Sequence, residues 1–244
     1  MKILALDSSG LVASVAILDE DHIIAEYTTN DKKTHSQTLL PMIDAVVTMT
    51  GQELSGIDAI AVAAGPGSFT GLRIGSATAK GLGLALDKPL IPVPTLEGLA
   101  YNFYGTDRLI CPMMDARRKQ VYTGIYGWVD GNFQILVPQT ACPVEEILEK
   151  CCRISDEYGR PVIFTGDGVP VYKDIIRGRM EKEGTVYFFA AAHMNRQRAG
   201  AVGVRGLELF HAGCFETAAQ HAPVYLRKSQ AERELLKKRK AADE

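Results

Sequence analysis

Apolar and polar positions along the chain fall into short runs whose period changes from two to about 3.6 and back. Residues 2–7 (Lys-Ile-Leu-Ala-Leu-Asp) read as a buried strand, and Val12–Asp19 and His22–Thr28 as two more, joined through Glu20-Asp21. Three early strands separated by short turns predict an antiparallel meander. Ser36 is then the candidate N-cap of a helix from Gln37 to Thr50, ended by Gly51. On that helix Leu39, Leu40, Ile43, Val46 and Val47 share one face, and Met42, Ala45 and Met49 form a second stripe beside it. The combined apolar arc is wider than a monomer's surface helix needs. It fits either a deeply buried helix or one shared between its own sheet and a partner. Residues 57–63 read as a strand, 64–71 as a glycine-rich loop, Leu72–Leu86 as a second helix and Leu90–Val93 as a strand. Gly71, Gly75, Ala79 and Gly83 recur every four residues along the second helix. Glycine costs a helix about 1 kcal/mol against alanine, so the stripe predicts the close approach of another backbone.

The segment Tyr101–Asp107 reads as a boundary, after which the pattern restarts. Leu109–Met114, Gln120–Trp128 and Asn132–Thr140 read as strands, with Asp130-Gly131 as a hairpin turn. A helix over Val144–Cys152, a strand over Val162–Thr165, a helix near Val171–Glu181 and a strand over Val186–Phe189 follow. The second half thus repeats the element order of the first, at the level of pattern rather than of residue identity. Residues 196–213 read as a further helix. The expected organisation is one lobe over 1–105, a second over 106–228, and a charged terminal helix or tail over 229–244. From Arg227 onward seven Lys/Arg stand against four Asp/Glu, which reads first as a solvated face.

Bulk properties narrow the picture. The 244 residues are 46% hydrophobic and 23% charged, an ordinary globular composition. The net charge of −2 gives no general attraction for nucleic acid, so an RNA contact has to be local or borrowed from a partner. Five cysteines without a framework pattern read as reduced thiols. No apolar run reaches the roughly 18 residues of a membrane span, and the first residues read as a strand rather than a cleavable leader. A cytoplasmic location is expected.

Two motifs carry candidate chemistry. Asp7-Ser8-Ser9-Gly10 closes the first strand, where backbone N–H groups and hydroxyls face anionic oxygens and a carboxylate holds a hydrated cation, or where the turn is plain turn chemistry. The run Gly65-Pro66-Gly67-Ser68-Phe69-Thr70-Gly71-Leu72-Arg73-Ile74-Gly75 lies between a strand and a helix, so its N–H groups converge at a helix N-terminus. It lacks the Lys-Ser/Thr of a Walker A loop. The candidate nucleotide or anion site is Asp7, Ser8, Ser9, Gly65, Gly67, Ser68 and Thr70, joined by the late turn Gly166-Asp167. His211, Cys214 and His221 fit no common zinc spacing, and His35 reads as a helix-start polar residue, so no metal is expected.

Two halves of β-β-β-α-β-α order facing a cleft resemble the actin-like ATPase (ASKHA, ribonuclease H-like) α/β fold. The run Gly65–Gly75, Asp115-Ala116-Arg117-Arg118 with Val121-Tyr122, Gly166-Asp167-Gly168 and Pro223-Val-Tyr-Leu-Arg227 occur in order and resemble the motifs of the TsaB (YeaZ) family, over about residues 2–228. The family usually opens with Asp-Thr-Ser where this chain has Asp7-Ser8-Ser9. The resemblance implies a non-catalytic subunit of the machinery that moves threonylcarbamoyl from an adenylate donor to N6 of the adenosine beside the tRNA anticodon. It implies pairing with the catalytic subunit TsaD, a ternary assembly with the ATPase TsaE, and an indirect relation to tRNA. TsaD is similar in fold and holds a metal through two histidines four apart. The matching positions here are Thr95 and Leu99, and leucine cannot ligate a metal. No cofactor is expected for this chain itself, with ATP or ADP at the complex interface left open. The implied interface is Leu39, Met42, Ile43, Val46 and Met49 on the first helix and Gly71, Gly75, Ala79 and Gly83 on the second, with homodimers expected for the isolated chain. The alternatives are an ATP-binding phosphotransferase or ATPase using Asp7 and the glycine loop, and, ranked last, a peptidase, for which no nucleophile–base pair is legible.

Overall fold

A computed structural model of the chain describes residues 1–31 and 34–227. The tail assigned to 229–244 lies outside the described residues. Two five-stranded sheets form the frame. The first contains β1 (Lys2–Asp7), β2 (Ala13–Asp19), β3 (Ile23–Thr29), β4 (Ala59–Gly65) and β5 (Leu90–Pro94), in the order β3-β2-β1-β4-β5. The second contains β6 (Leu109–Asp115), β7 (Gln120–Val129), β8 (Asn132–Pro143), β9 (Val162–Thr165) and β10 (Tyr187–Phe189), in the order β8-β7-β6-β9-β10. In both, the first three strands pair antiparallel and the last two run parallel to the first. The duplication expected from the element order is therefore present strand for strand, and the fold is the two-lobed actin-like α/β fold.

The alternation of side chains along each central strand assigns the faces. Leu4 and Leu6 of β1 and Ile60 and Val62 of β4 face a core shared with α1 (His35–Thr50) and α2 (Phe69–Leu86). Ile3, Ala5, Ala59, Ala61 and Ala63 face the opposite way, onto α6 (Ala199–His211). In the second lobe Leu109, Cys111 and Met113 face α4 (Val144–Tyr158) and α5 (Gly168–Glu183). Ile110, Met114 and Ile163 face α3 (Thr95–Ala100) and the aromatic side chains of Tyr101, Tyr126 and Trp128. Helices α3 and α6 lie between the two sheets. The helix read over 196–213 thus packs mainly on the first sheet, with Ala201 and Val204 reaching the core of the second. The alanines of β4 leave the room: a Cβ on Gly206 would lie 2.8 Å from that of Ala61.

Helix boundaries shift where tertiary ties outweigh local signals. Thr34, not Ser36, occupies the N-cap of α1, and its side chain makes no capping bond. His35 extends the helix backwards because its ring Nε2 lies 2.8 Å from the Gly10 carbonyl oxygen. Helix α2 starts at Phe69, a turn before Leu72, because the Ser68 hydroxyl accepts a hydrogen bond from Gly71 N–H. Gly51 and Gly159 end α1 and α4 in the left-handed conformation, the usual role of glycine there.

The β6–β7 hairpin departs from the common rule. Arg117, Arg118 and Lys119 all have positive φ, at 64°, 56° and 57°, and Gln120 N–H closes the turn on Arg117 O at 3.1 Å. Positive φ at both central positions suits the twist of the flanking strands, and Asn-Gly or Asp-Gly normally supplies it. An L side chain there costs roughly 1–2 kcal/mol per residue.

All five cysteines are free, four of them buried. Burial holds the Cys151 thiol well above its ordinary range and pushes Cys142 up to about 11. No described helix is long and apolar enough to cross a membrane.

Candidate functional site

The carboxyl ends of β1, β4, β6 and β9 meet at a cleft of about 290 Å3 between the lobes. Ser9, Gly67, Ser68 and Asp167 line it, with Gly10, Leu11, Met114, Asp115, Arg117 and Tyr122. On the first-lobe side Asp7 is buried, and its Oδ1 accepts hydrogen bonds from Ser9 N–H (2.8 Å) and from the Ser9 hydroxyl (2.7 Å). Burial pushes the Asp7 carboxyl up to about 6, against the two Ser9 bonds and the nearby His35, which pull it down. The Ser8 hydroxyl donates to Gly71 O at 2.9 Å.

The glycine loop is pressed onto this turn. Ser68 N–H donates to Ser9 O at 2.7 Å. A Cβ on Gly67 would lie 2.3 Å from Ser9 O, and one on Gly71 2.0 Å from Ser8 O. These glycines exist because the β1–β2 turn lies against them. The Ser68 and Gly71 amides at the start of α2 are thereby spent inside the protein. Gly65, at φ 118°, donates its N–H to Thr95 Oγ1 at 3.1 Å, and a Cβ there would meet Val224 O at 2.3 Å. Thr70 is exposed outside the cleft.

The second lobe mirrors the first. Asp115 closes β6 as Asp7 closes β1, and Gly166 (φ 105°) follows β9 as Gly65 ends β4. Asp115 N–H donates to Asp167 Oδ1 at 3.2 Å, Tyr172 OH and Arg117 N–H donate to Asp115 Oδ1, and the Arg117 guanidinium lies 3.3 Å from Asp115 Oδ2. Burial raises the Asp167 carboxyl above its ordinary range, opposed by the Asp115 amide and Arg196. Gly166 lies beneath Asp167, its N–H bonded to Asn195. Of the nine residues read as a nucleotide or anion site, only Ser9, Gly67, Ser68 and Asp167 border the cleft; Asp7 and Ser8 lie behind it. Asp115 and Arg117 were outside that set, although the duplication makes Asp115 findable as the counterpart of Asp7. Two carboxylates against one guanidinium leave the cleft without the positive excess a phosphate chain calls for.

Thr95 and Leu99 are both buried in α3. Among the described residues no group of three or more His, Cys, Asp or Glu side chains is placed to hold a metal ion. His211 pairs with Glu20 and His221 with Glu216.

The partner stripe needs correction. Gly71, Gly75, Ala79 and Gly83 are all buried in the chain's own fold. A Cβ on Gly75 would lie 2.4 Å from Ser8 Oγ, and one on Gly83 2.9 Å from Leu90 and 3.2 Å from Ala218. The close backbone that the stripe admits is this chain's own. Leu39, Met42, Ile43 and Val46 likewise belong to the core under α1. Of the interface residues read from the sequence, Met49 alone is exposed, at 88%. Leu40 (56%), on the opposite flank of α1, and Leu84 (68%) of α2 are exposed as well, and α2 carries a second, exposed small-residue series, Ala77, Gly81 and Ala85.

Known proteins share this architecture. The family model described as TsaD: tRNA N6-adenosine threonylcarbamoyltransferase matches residues 22–235. The tRNA threonylcarbamoyladenosine biosynthesis protein TsaB of Bacillus subtilis is 36% identical over 98% of this chain and 100% of its own length. Its Escherichia coli counterpart is 31% identical over 96% and 98%. The solved structure of YeaZ from Pseudomonas aeruginosa superposes with a TM-score of 0.75 at 29% identity, covering 92% of this chain and 99% of that one. With the family model matched over residues 22–235 and a relative 36% identical matched over 98% of this chain and its own full length, the chain belongs to the TsaB (YeaZ) family of tRNA threonylcarbamoyladenosine biosynthesis proteins.

Proposed function

We propose that this chain is the non-catalytic subunit that pairs with and activates the TsaD-type transferase, in an assembly with the ATPase TsaE. The observation that carries this reading is the outward face of α1 and α2. The two helices lie side by side on one sheet face, sharing a core in which Ile74 and Leu82 join Val46 and Val47. On α2 the outer side leaves Leu84 exposed beside the small residues Ala77, Gly81 and Ala85, and α1 exposes Leu40 and, on its opposite flank, Met49. Small residues let a second pair of helices approach closely, and the apolar side chains supply the area. An interface of this kind buries roughly 1,200–2,000 Å2. The same face serves self-association when the partner is absent. The reading of an active ATPase or phosphotransferase finds less support, because the loop amides that would cradle a phosphate are engaged by Ser9 and Ser68.

The test is the double variant Ala77→Glu, Gly81→Arg. A Cβ on Gly81 meets nothing within 4 Å, so the monomer retains its fold. Co-elution with the TsaD-type subunit is expected to disappear, and tRNA modification in the reconstituted system to fall to the level without this chain. Unchanged co-elution and activity would refute the pairing face.

A further inference from the structure

We propose that the β6–β7 turn and the segment crossing beneath it form a direct RNA-contacting surface that grips the phosphate backbone of the tRNA. This rests on the family role in tRNA modification, and adds a contact that the overall charge of −2 conceals. Arg117, Arg118 and Lys119 occupy three successive left-handed positions, all exposed. Neither Arg118 nor Lys119 forms an ion pair among the described residues. Asparagine and glycine fit these positions without strain, so long cationic side chains there point to a use for their charge. Two further cations from distant parts of the sequence join them. Arg227 Nη1 donates to Ala116 O at 2.6 Å, next to the turn. Two residues earlier, Tyr225 stacks on Phe69 at 4.4 Å, and Arg73 lies beside the edge of the stack with its Nε donating to the Tyr225 hydroxyl. The facing carboxylates are Asp115, which pairs with Arg117, and Asp167 at the cleft. A rim of five cations bordered by a stacked aromatic pair matches the chemistry of a nucleic-acid backbone contact.

The decisive variant is Arg118→Asn with Lys119→Gly, which removes two charges while supplying the residues the turn prefers. Binding of an unmodified tRNA transcript to the full-length chain in complex with its catalytic partner is followed by fluorescence anisotropy across a salt series. The expected result is an unfolding temperature equal to or above the parent's, weaker binding, and a log–log salt slope shallower by roughly one to two. Arg73→Gln, on α2 and remote in sequence, is expected to lower the slope by about one, and decides the matter if the double variant fails to fold. An unchanged slope in folded variants would overturn the proposal. So would a loss of co-elution with the protein partner while the RNA slope stays constant, since the surface would then face protein. The slope reads RNA binding alone, so it is independent of whether the chain activates its partner, which the α1–α2 variants test.

Discussion

At the residue scale, Asp7 sets chemistry against burial. Its carboxyl ordinarily titrates at 3.8 and in the fold at about 6, with burial as the main cause. Between these values the folded state holds the proton more tightly than the unfolded state, so stability falls as pH rises through that window. That difference corresponds to roughly 3 kcal/mol, present below pH 4 and lost above pH 6. Asp7→Asn retains an oxygen acceptor for Ser9 and removes the charge. It is expected to be more stable than the parent at pH 8, by up to about 3 kcal/mol, with the difference vanishing near pH 4; denaturant midpoints across that range measure it. Parallel profiles would show that Asp7 is not the titrating group. The residue itself was legible as a strand-closing Asp before a Ser-rich turn. Its burial was not, because the covering groups, the α2 loop and His35, come from elsewhere in the chain.

At the element scale, α2 carries two small-residue series with the same four-residue spacing. The sequence reads Gly71, Gly75, Ala79 and Gly83 as readily as Ala77, Gly81 and Ala85, and periodicity cannot say which faces inward. The structure decides it. A Cβ on Gly71 would lie 2.0 Å from Ser8 O, whereas one on Gly81 meets open space. Gly71→Ala is therefore expected to destabilise by about 1–3 kcal/mol through overpacking. Gly81→Ala is expected to stabilise by up to about 1 kcal/mol through helix propensity. Urea unfolding of the two variants should move in opposite directions, and a shared direction would reject this orientation of the helix. The apolar arc of α1 is resolved in the same way: most of it fills the core, and the excess, Leu40 and Met49, remains outside.

At the scale of the whole molecule, α6 returns to the first sheet and ties the lobes together through one half-buried charge, Arg205. Arg205 Nε lies 2.7 Å from Glu97 Oε2 of α3, its Nη1 lies 3.0 Å from Glu208, and its guanidinium stands over the Phe133 ring of β8 at 4.9 Å. Burial raises the Glu97 carboxyl, and Arg205 opposes it. Arg205→Met leaves that carboxylate buried and unpaired, so a loss of about 3–5 kcal/mol is expected, and Glu97→Gln in the same chain should recover part of it. Additive losses in a double-mutant cycle would contradict the coupling. From the sequence alone came the alternation of strands and helices, the duplicated lobes and the ordered family motifs, because each is written in local period or in residue identity. The tertiary structure alone decided which stripe of α2 is inside, where α6 packs, that the glycine loop is closed upon Ser8 and Ser9, and that Arg73, Arg117 and Arg227 share one rim. Each of these depends on which distant segments meet, and a one-dimensional pattern carries the period of a face but not the identity of what covers it.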